Sequence, residues 1–440
     1  MAKVVKFGGS SLADAKQFRK VAEIIKSDEE RRYVIPSAPG KRTLSTGEDT
    51  KVTDMLYECY RAVLNSGNPK EEFKPIAERF NGIITDLGLD LSLESEYKTI
   101  ITAFRKRAGD DYAASRGEYL NGIILADYLG FSFVDAAKVV SFNADGVFDA
   151  DLTNASLAAV LGKKERAVVP GFYGALPNGK IKTFSRGGSD FTGSIVAKAV
   201  KAELYENWTD VSGFLIADPR IVKNPEIIKI ITYRELRELS YMGATVLHED
   251  SVFPVRTAGI PINIRNTNDP SAPGTMIVRT APKDDNPPII TGIAGKKDFS
   301  VIHIEKDGMN NEIGFVRRIL SLFESLEINF EHLPTGIDTL SIILCTKELN
   351  KHPDITDHIR DAAQPNHIVV EQGGLAMIAI VGRGMVETRG TAARIFAALA
   401  HAGVNVRTID QGSCEFNVIV GVNEDDFERA VKAIYDCFAR

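Results

Sequence analysis

One tryptophan, four cysteines and seven histidines are few for a chain of 440 residues, and each scarcity excludes something. Cys59, Cys345, Cys414 and Cys437 form no CxxC pair and no Cys/His cluster, which sets aside a zinc-finger pattern and a disulfide frame. No apolar run approaches the roughly 20 residues that a membrane-spanning helix needs. Charge of one sign is also scarce: 53 Lys and Arg against 59 Asp and Glu leave a net charge of -6. Binding to nucleic acid takes a basic face that neutralises phosphates, so that class is set aside as well. A pocket for one small anion needs no such excess. No secretory leader precedes the first apolar segment, and a cytoplasmic protein with reduced thiols is expected.

What is present is an ordinary globular balance, 44% hydrophobic and 25% charged, at a length that suits two or three domains. Strand-like and helix-like segments alternate through the first 280 residues, from KVVKF and AKQFRKVAEIIK to FTGSIVAKAVKAELYENWTDV. FSFVDAAKVVSF reads as strand-rich. Strands separated by helices of this length indicate βαβ units and a mostly parallel sheet covered on both faces. Residues 66–112 are helical and polar, an inserted lobe. APKDDNPP at 281–288 reads as a linker. Beyond it, GFVRRILSLFESLEINFEHLPTG aligns without gaps on GTAARIFAALAHAGVNVRTIDQG at a constant offset of 76. Gly314/Gly390, Arg318/Arg394, Ile319/Ile395, Asn329/Asn405 and Gly336/Gly412 coincide, so the C-terminal part is a duplicated module.

Four segments carry chemistry. In VVKFGGSSL, Gly8 and Gly9 let successive backbone N–H groups converge on an anion, and Lys6 adds a mobile charge. The competing reading is a plain strand-to-helix turn. Neither a P-loop nor a dinucleotide fingerprint is present here. SRGGSDFTGS is a second helix-opening glycine turn, with Arg186 suited to a carboxylate and Asp190 able to cap a helix. NWTDVSGFLIADPRIV ends a strand at Thr209-Asp210 and continues to Arg220, where loops at the carboxyl ends of strands hold ligands. Glu118, in SRGEYLNG, is a helix-terminus carboxylate or a partner for an ammonium group. VGRGMVETRG has Glu387 where a dinucleotide motif needs its third glycine and reads as a module turn; LHEDS, with His248, is no metal cluster.

Jointly these segments resemble the aspartokinase family of the amino-acid kinase superfamily, from Lys3 to about Phe438. The opening VVKFGGSSL, the turns RGGSDFTGS and WTDVSGF…ADPR, YMGATVLHEDSVFPVRTAGIPINIRNT and the duplicated unit with QGSCEF all match. The resemblance implies an α/β fold: an amino-acid-kinase-like three-layer domain with a mostly parallel central sheet, then two α+β ACT (ferredoxin-like) modules. It divides the chain into a catalytic domain at 1–285, with the 66–112 lobe, and modules at 297–370 and 371–440. No dehydrogenase region follows, which suggests the monofunctional kind. Pro36 interrupts the second strand, Leu215 replaces a common aromatic residue, and Thr245 replaces a common lysine.

The implied activity is phosphoryl transfer from ATP with Mg2+ to the β-carboxylate of L-aspartate, opening lysine, threonine and methionine biosynthesis. Lys6 and Asp190 would be catalytic. Thr53, Glu118, Arg186 and Ser189 would bind aspartate, Arg186 at its α-carboxylate and Glu118 at its α-ammonium. Lys6, Gly8, Gly9, Ser10, Thr209, Asp210 and Arg220 would hold the nucleotide. The paired modules imply feedback by an amino-acid effector, lysine first and threonine second, in a homodimer or tetramer. Its contacts would be Met309, Glu312, Gly314, Phe315, Val316, Asn329, Phe330, Gly336 and Asp338. Rival readings are another amino-acid kinase of the same fold, or a catalytically silent amino-acid sensor.

Overall fold

The computed structural model describes residues 2–44, 47–185, 187–244, 247, 249–283, 287–386 and 388–438. Expectations placed on Arg186, Thr245, His248 and Glu387 lie outside the described residues. The chain forms two compact units. The first comprises Met1–Phe214, Ile227–Tyr233 and Thr245–Pro282; the second comprises Leu215–Glu226, Arg234–Ala244 and Lys283–Arg440. Among the described residues no helix is long and apolar enough to cross a membrane.

The main sheet of the first unit has eight strands. Their order is Ile230–Thr232, Thr275–Val278, Ile262–Asn266, Leu204–Thr209, Lys3–Phe7, Arg31–Pro36, Ala167–Val168 and Ser132–Phe133. Every neighbouring pair is parallel except Ile262–Asn266 with Thr275–Val278. Val4, Val5 and Phe7 of KVVKF are fully buried, as a central parallel strand requires. Helix α1 (Ala15–Lys26) starts where the Asp14 carboxylate accepts the Gln17 N–H, and it buries Phe18, Val21, Ala22 and Ile25 at helical spacing. Four helices follow: α2 (Val52–Leu64), α3 (Pro69–Leu87), α4 (Glu94–Arg105) and α5 (Asp110–Leu129). They close around Phe73, Phe80, Tyr97 and Phe104, each buried ring stabilising by roughly 2 kcal/mol. Helices α6 (Ala150–Leu161) and α7 (Gly188–Ala199) also belong to this unit.

Two local expectations differ from the structure. Pro36 does not interrupt its strand. It is the last residue, paired with Phe7, and its missing N–H comes where the ladder ends. In FSFVDAAKVVSF only Ser132–Phe133 pairs as a strand, because the Asp135 carboxylate accepts the Ala137 N–H at 3.0 Å and opens a turn.

The second unit carries a five-stranded antiparallel sheet in the order Thr339–Cys345, Gly292–Glu305, His367–Val381, Asn417–Asn423, Val406–Asp410. The offset of 76 is kept in space: helices Phe315–Ser325 and Thr391–His401 each follow a left-handed glycine, Gly314 at φ 86° and Gly390 at φ 83°. Ile319 and Ile395 are both fully buried. Two strands serve both halves. Gly292–Lys296 pairs with Met377–Val381, and Phe299–Glu305 pairs along His367–Leu375. The register shifts around Asp298, which sits at φ 69°. The expected module boundary at 370/371 falls within the second of these strands.

Candidate active site

The strand register builds the centre of the site. Lys6 stands opposite Asn207 in the parallel pair, so both side chains leave the same face of the sheet. Helix α7 packs on that strand and opens at Gly187, whose φ of 58° suits glycine. Asp190 is thereby placed in the first turn of α7. Lys6 Nζ lies 2.6 Å from Asp190 Oδ1 and 3.4 Å from Asn207 Oδ1. Asn207 Nδ2 donates to the same Asp190 oxygen at 2.9 Å. Lys6 is only 8% exposed, so the ion pair is sheltered from solvent screening. Ser189, also buried, abuts Gly171 so closely that a Cβ at 171 would lie 2.7 Å from it.

The glycine turn is built by close approach. Gly8 N–H donates to Trp208 O at 3.0 Å, and Gly40 N–H donates to Gly9 O at 2.8 Å. A Cβ on Gly9 would come 2.8 Å from Ala38 O, and one on Gly40 would come 2.6 Å from Gly9 C. Both positions therefore exclude every other residue. Ser10 is exposed, whereas Ser11 Oγ is 2.7 Å from Thr267 Oγ1. The segment Ser37–Gly40 joins this turn to α5. Asn121 Nδ2 donates to Ser37 O at 2.6 Å, and a Cβ on Gly117 would lie 2.7 Å from Ala38 Cβ.

Glu118, also on α5, is buried. Burial pushes its carboxyl up to about 8, against a smaller opposing effect of the hydrogen bond from the Ala38 N–H. Glu118 Oε2 and Asn121 Oδ1 are buried without a hydrogen-bond partner, two acceptors left open three residues apart on one helix. Thr53 is half-buried in the first turn of α2. Thr209 ends its strand with its hydroxyl 3.1 Å from the exposed Asp210 carboxylate. Arg220 belongs to the second unit, is exposed, and donates to Asp218 at 2.6 and 3.0 Å. Leu215, half-buried, also belongs to that unit. A cavity of about 830 Å3 lies beside α1, lined by Lys20, Arg31, Trp208 and Arg265. It holds none of the residues expected to do chemistry. Among the described residues no three His, Cys, Asp or Glu side chains are grouped to hold a metal ion.

In the second unit Met309 and Phe315 are core residues, and Val316 is half-buried. Glu312 bonds Arg318 and lies 3.6 Å from Lys306. The Asp338 carboxylate accepts the Gly308 N–H at 2.8 Å, while Asn329, Phe330 and Gly336 are exposed. Sequence reading missed Asn207, Asn121 and Arg79, the last of which donates to Ala13 O and Gly40 O from α3. The register of KVVKF against LYENWT is the one signal that leads to Asn207. Nothing in sequence points to Arg79.

Residues 1–266 match the amino acid kinase family, and residues 378–438 match the ACT domain. Aspartokinase 3 of Bacillus subtilis is 39% identical, with 99% of this chain and 98% of that protein covered. The crystal structure of Clostridium acetobutylicum aspartate kinase superposes with a TM-score of 0.89 at 51% identity, over 99% of each chain. Escherichia coli aspartokinase III, solved with aspartate and ADP, shares the fold at a TM-score of 0.73 and 23% identity over the full length of both chains. The same enzyme solved with lysine and aspartate gives 0.73 and 24%. With these likenesses running the length of the chain, the protein belongs to the aspartokinase family.

Proposed function

We propose that the protein transfers the γ-phosphoryl group of MgATP to the β-carboxylate of L-aspartate, giving 4-phospho-L-aspartate and ADP. The observation that carries this reading is the buried Lys6–Asp190–Asn207 cluster beside the Gly8–Gly9 turn. A β-carboxylate oxygen attacks the γ-phosphorus, a P–O bond forms, and the bond to the bridging oxygen breaks with its electron pair leaving on ADP. The carboxylate needs no base, so the chain supplies alignment and relief of anion repulsion. Lys6 faces the transferring group, with Asp190 and Asn207 fixing its ammonium. The Gly9 amide, with Ser10, cradles phosphate oxygens, the Gly8 N–H being taken by Trp208 O, and Thr209 and Asp210 hold the remainder of the nucleotide. Mg2+ would be held by phosphate oxygens of the nucleotide and would offset their charge, since among the described residues no three His, Cys, Asp or Glu side chains are grouped to hold it.

Glu118 takes the α-ammonium of aspartate, Arg186 its α-carboxylate, and Thr53 and Ser189 complete that pocket. The E. coli enzyme, solved with aspartate and ADP in one structure and with lysine and aspartate in the other, supports aspartate as the substrate and lysine as the effector here. The effector, lysine before threonine, would use Met309, Glu312, Gly314, Phe315, Val316, Asn329, Phe330 and Asp338 in an assembly of two or four copies. The protein would act in the cytoplasm, at the head of lysine and threonine biosynthesis. Hydroxylamine trapping tests the chemistry, because an acyl phosphate gives a hydroxamate. Aspartate hydroxamate forming only with MgATP supports the reading, and ATP consumed without hydroxamate would refute it.

A further inference from the structure

The helical lobe reaches the glycine turn through one arginine. Helix α3 is polar on its outer face, where Lys70, Glu71, Glu72, Lys74 and Glu78 are exposed, but the side chain of Arg79 is only 1% exposed. Its Nη2 donates to Ala13 O at 2.9 Å and to Gly40 O at 2.7 Å. Its Nη1 donates to the Asp49 carboxylate, which also accepts from Arg42 Nε at 2.7 Å.

Burying a guanidinium costs free energy that a single, shared carboxylate does not recover, and an apolar residue of the same volume would serve stability as well or better. The two carbonyls it does hold are the informative part. Ala13 directly follows the turn Gly9–Leu12, and Gly40 is the residue on which Gly9 rests without room for a Cβ. One planar group thus bridges the two segments whose crossing shapes the turn. Its fork geometry allows this, and a lysine ammonium would reproduce it in part.

The geometry points to Arg79 as a positioning residue for phosphoryl transfer, clamping the Gly9–Gly40 crossing so that the turn keeps its shape against the charge of a triphosphate. This rests on the phosphate-cradle reading of Gly8–Gly9. Arg79 touches no reacting atom and acts through the backbone, with Asp49 aiming its guanidinium.

Steady-state ADP release by the full-length protein, with MgATP and L-aspartate, tests it alongside thermal melts. Arg79→Met keeps most of the volume and deletes the donors. While the variant stays folded at the assay temperature, kcat should fall roughly a hundred-fold, the cost of a small misplacement of the reacting groups. Arg79→Lys should recover part of that loss. A merely structural role would lower the melting temperature and leave kcat per folded molecule intact. Full kcat in folded Arg79→Met, or no recovery in Arg79→Lys, would overturn the proposal. Should Arg79→Met fail to fold, Asp49→Asn decides by the same kinetics, since it loosens the guanidinium without deleting it, and undiminished kcat there overturns the proposal. Gly9→Ala separates the two readings. An active Gly9→Ala refutes the cradle and the clamp with it, whereas an inactive Gly9→Ala beside a fully active Arg79→Met refutes only the clamp.

Discussion

Replacing Glu118 by glutamine should make the first unit increasingly more stable than the wild type as the pH rises, while damaging catalysis. In the folded protein burial pushes this carboxyl from its usual 4.5 up to about 8, so the native state keeps a proton that the unfolded chain gives up. Between those two values the native state binds more protons than the unfolded one, and stability falls with rising pH. The displacement from 4.5 to about 8 corresponds to roughly 5 kcal/mol, an upper figure for one buried group. Glutamine mimics the protonated carboxyl and does not titrate. From pH 5 to pH 8 the stability of Glu118→Gln should therefore gain on the wild type by roughly 4 kcal/mol, with no further gain well above pH 8. Trp208 is the single tryptophan and lies fully buried in the first unit, so urea melts followed by its fluorescence report on this unit. Aspartate binding by the wild type should also expel the proton near pH 7, because the substrate ammonium needs an ionised partner. Calorimetry in two buffers of different ionisation enthalpy would detect that release. A stability gap that stays constant from pH 5 to pH 8 would refute the reasoning, since it would mean Glu118 is already ionised in the free protein.

Lys6→Ala should lower kcat by roughly a hundred- to a thousand-fold, the usual loss for one electrostatic contact to a transition state, with the fold retained by circular dichroism. In the second unit Glu235 is fully buried and accepts from Thr291 Oγ1 at 2.5 Å and Arg383 Nη1 at 3.0 Å. Glu235→Ala removes the buried acceptor that Thr291 and Arg383 share and should destabilise this unit by roughly 3 kcal/mol, read as a lowered thermal transition, and Glu235→Gln should cost less.

The parts legible in sequence are those in which a local pattern decides. KVVKF is buried on both faces and reads so. The repeat at offset 76 places both module helices to the residue, because each starts at a glycine that must adopt positive φ. Lys6 and Asp190 were legible as members of two glycine turns, but their 2.6 Å contact depends on helix α7 packing on the strand Lys3–Phe7, whereas the register with Leu204–Thr209 places Lys6 beside Asn207. What stayed hidden depends on elements far apart in the chain. Arg79 sits in a polar helix, and its burial arises only once α3 packs over the glycine turn, whose following residue, Ala13, lies 66 residues earlier. The sharing of Gly292–Glu305 and His367–Val381 between both halves of the sheet is likewise a matter of pairing and not of composition. FSFVDAAKVVSF shows the reverse case, where strand propensity yields to one aspartate that bonds its own backbone.

The measurement that bears most directly on the account is ADP release from MgATP with and without L-aspartate, run on the wild type and on Lys6→Ala, then repeated with L-lysine. The account predicts turnover that requires aspartate, is nearly abolished in Lys6→Ala and is suppressed by lysine. Turnover independent of aspartate, or a Lys6→Ala variant as active as the wild type, would contradict it.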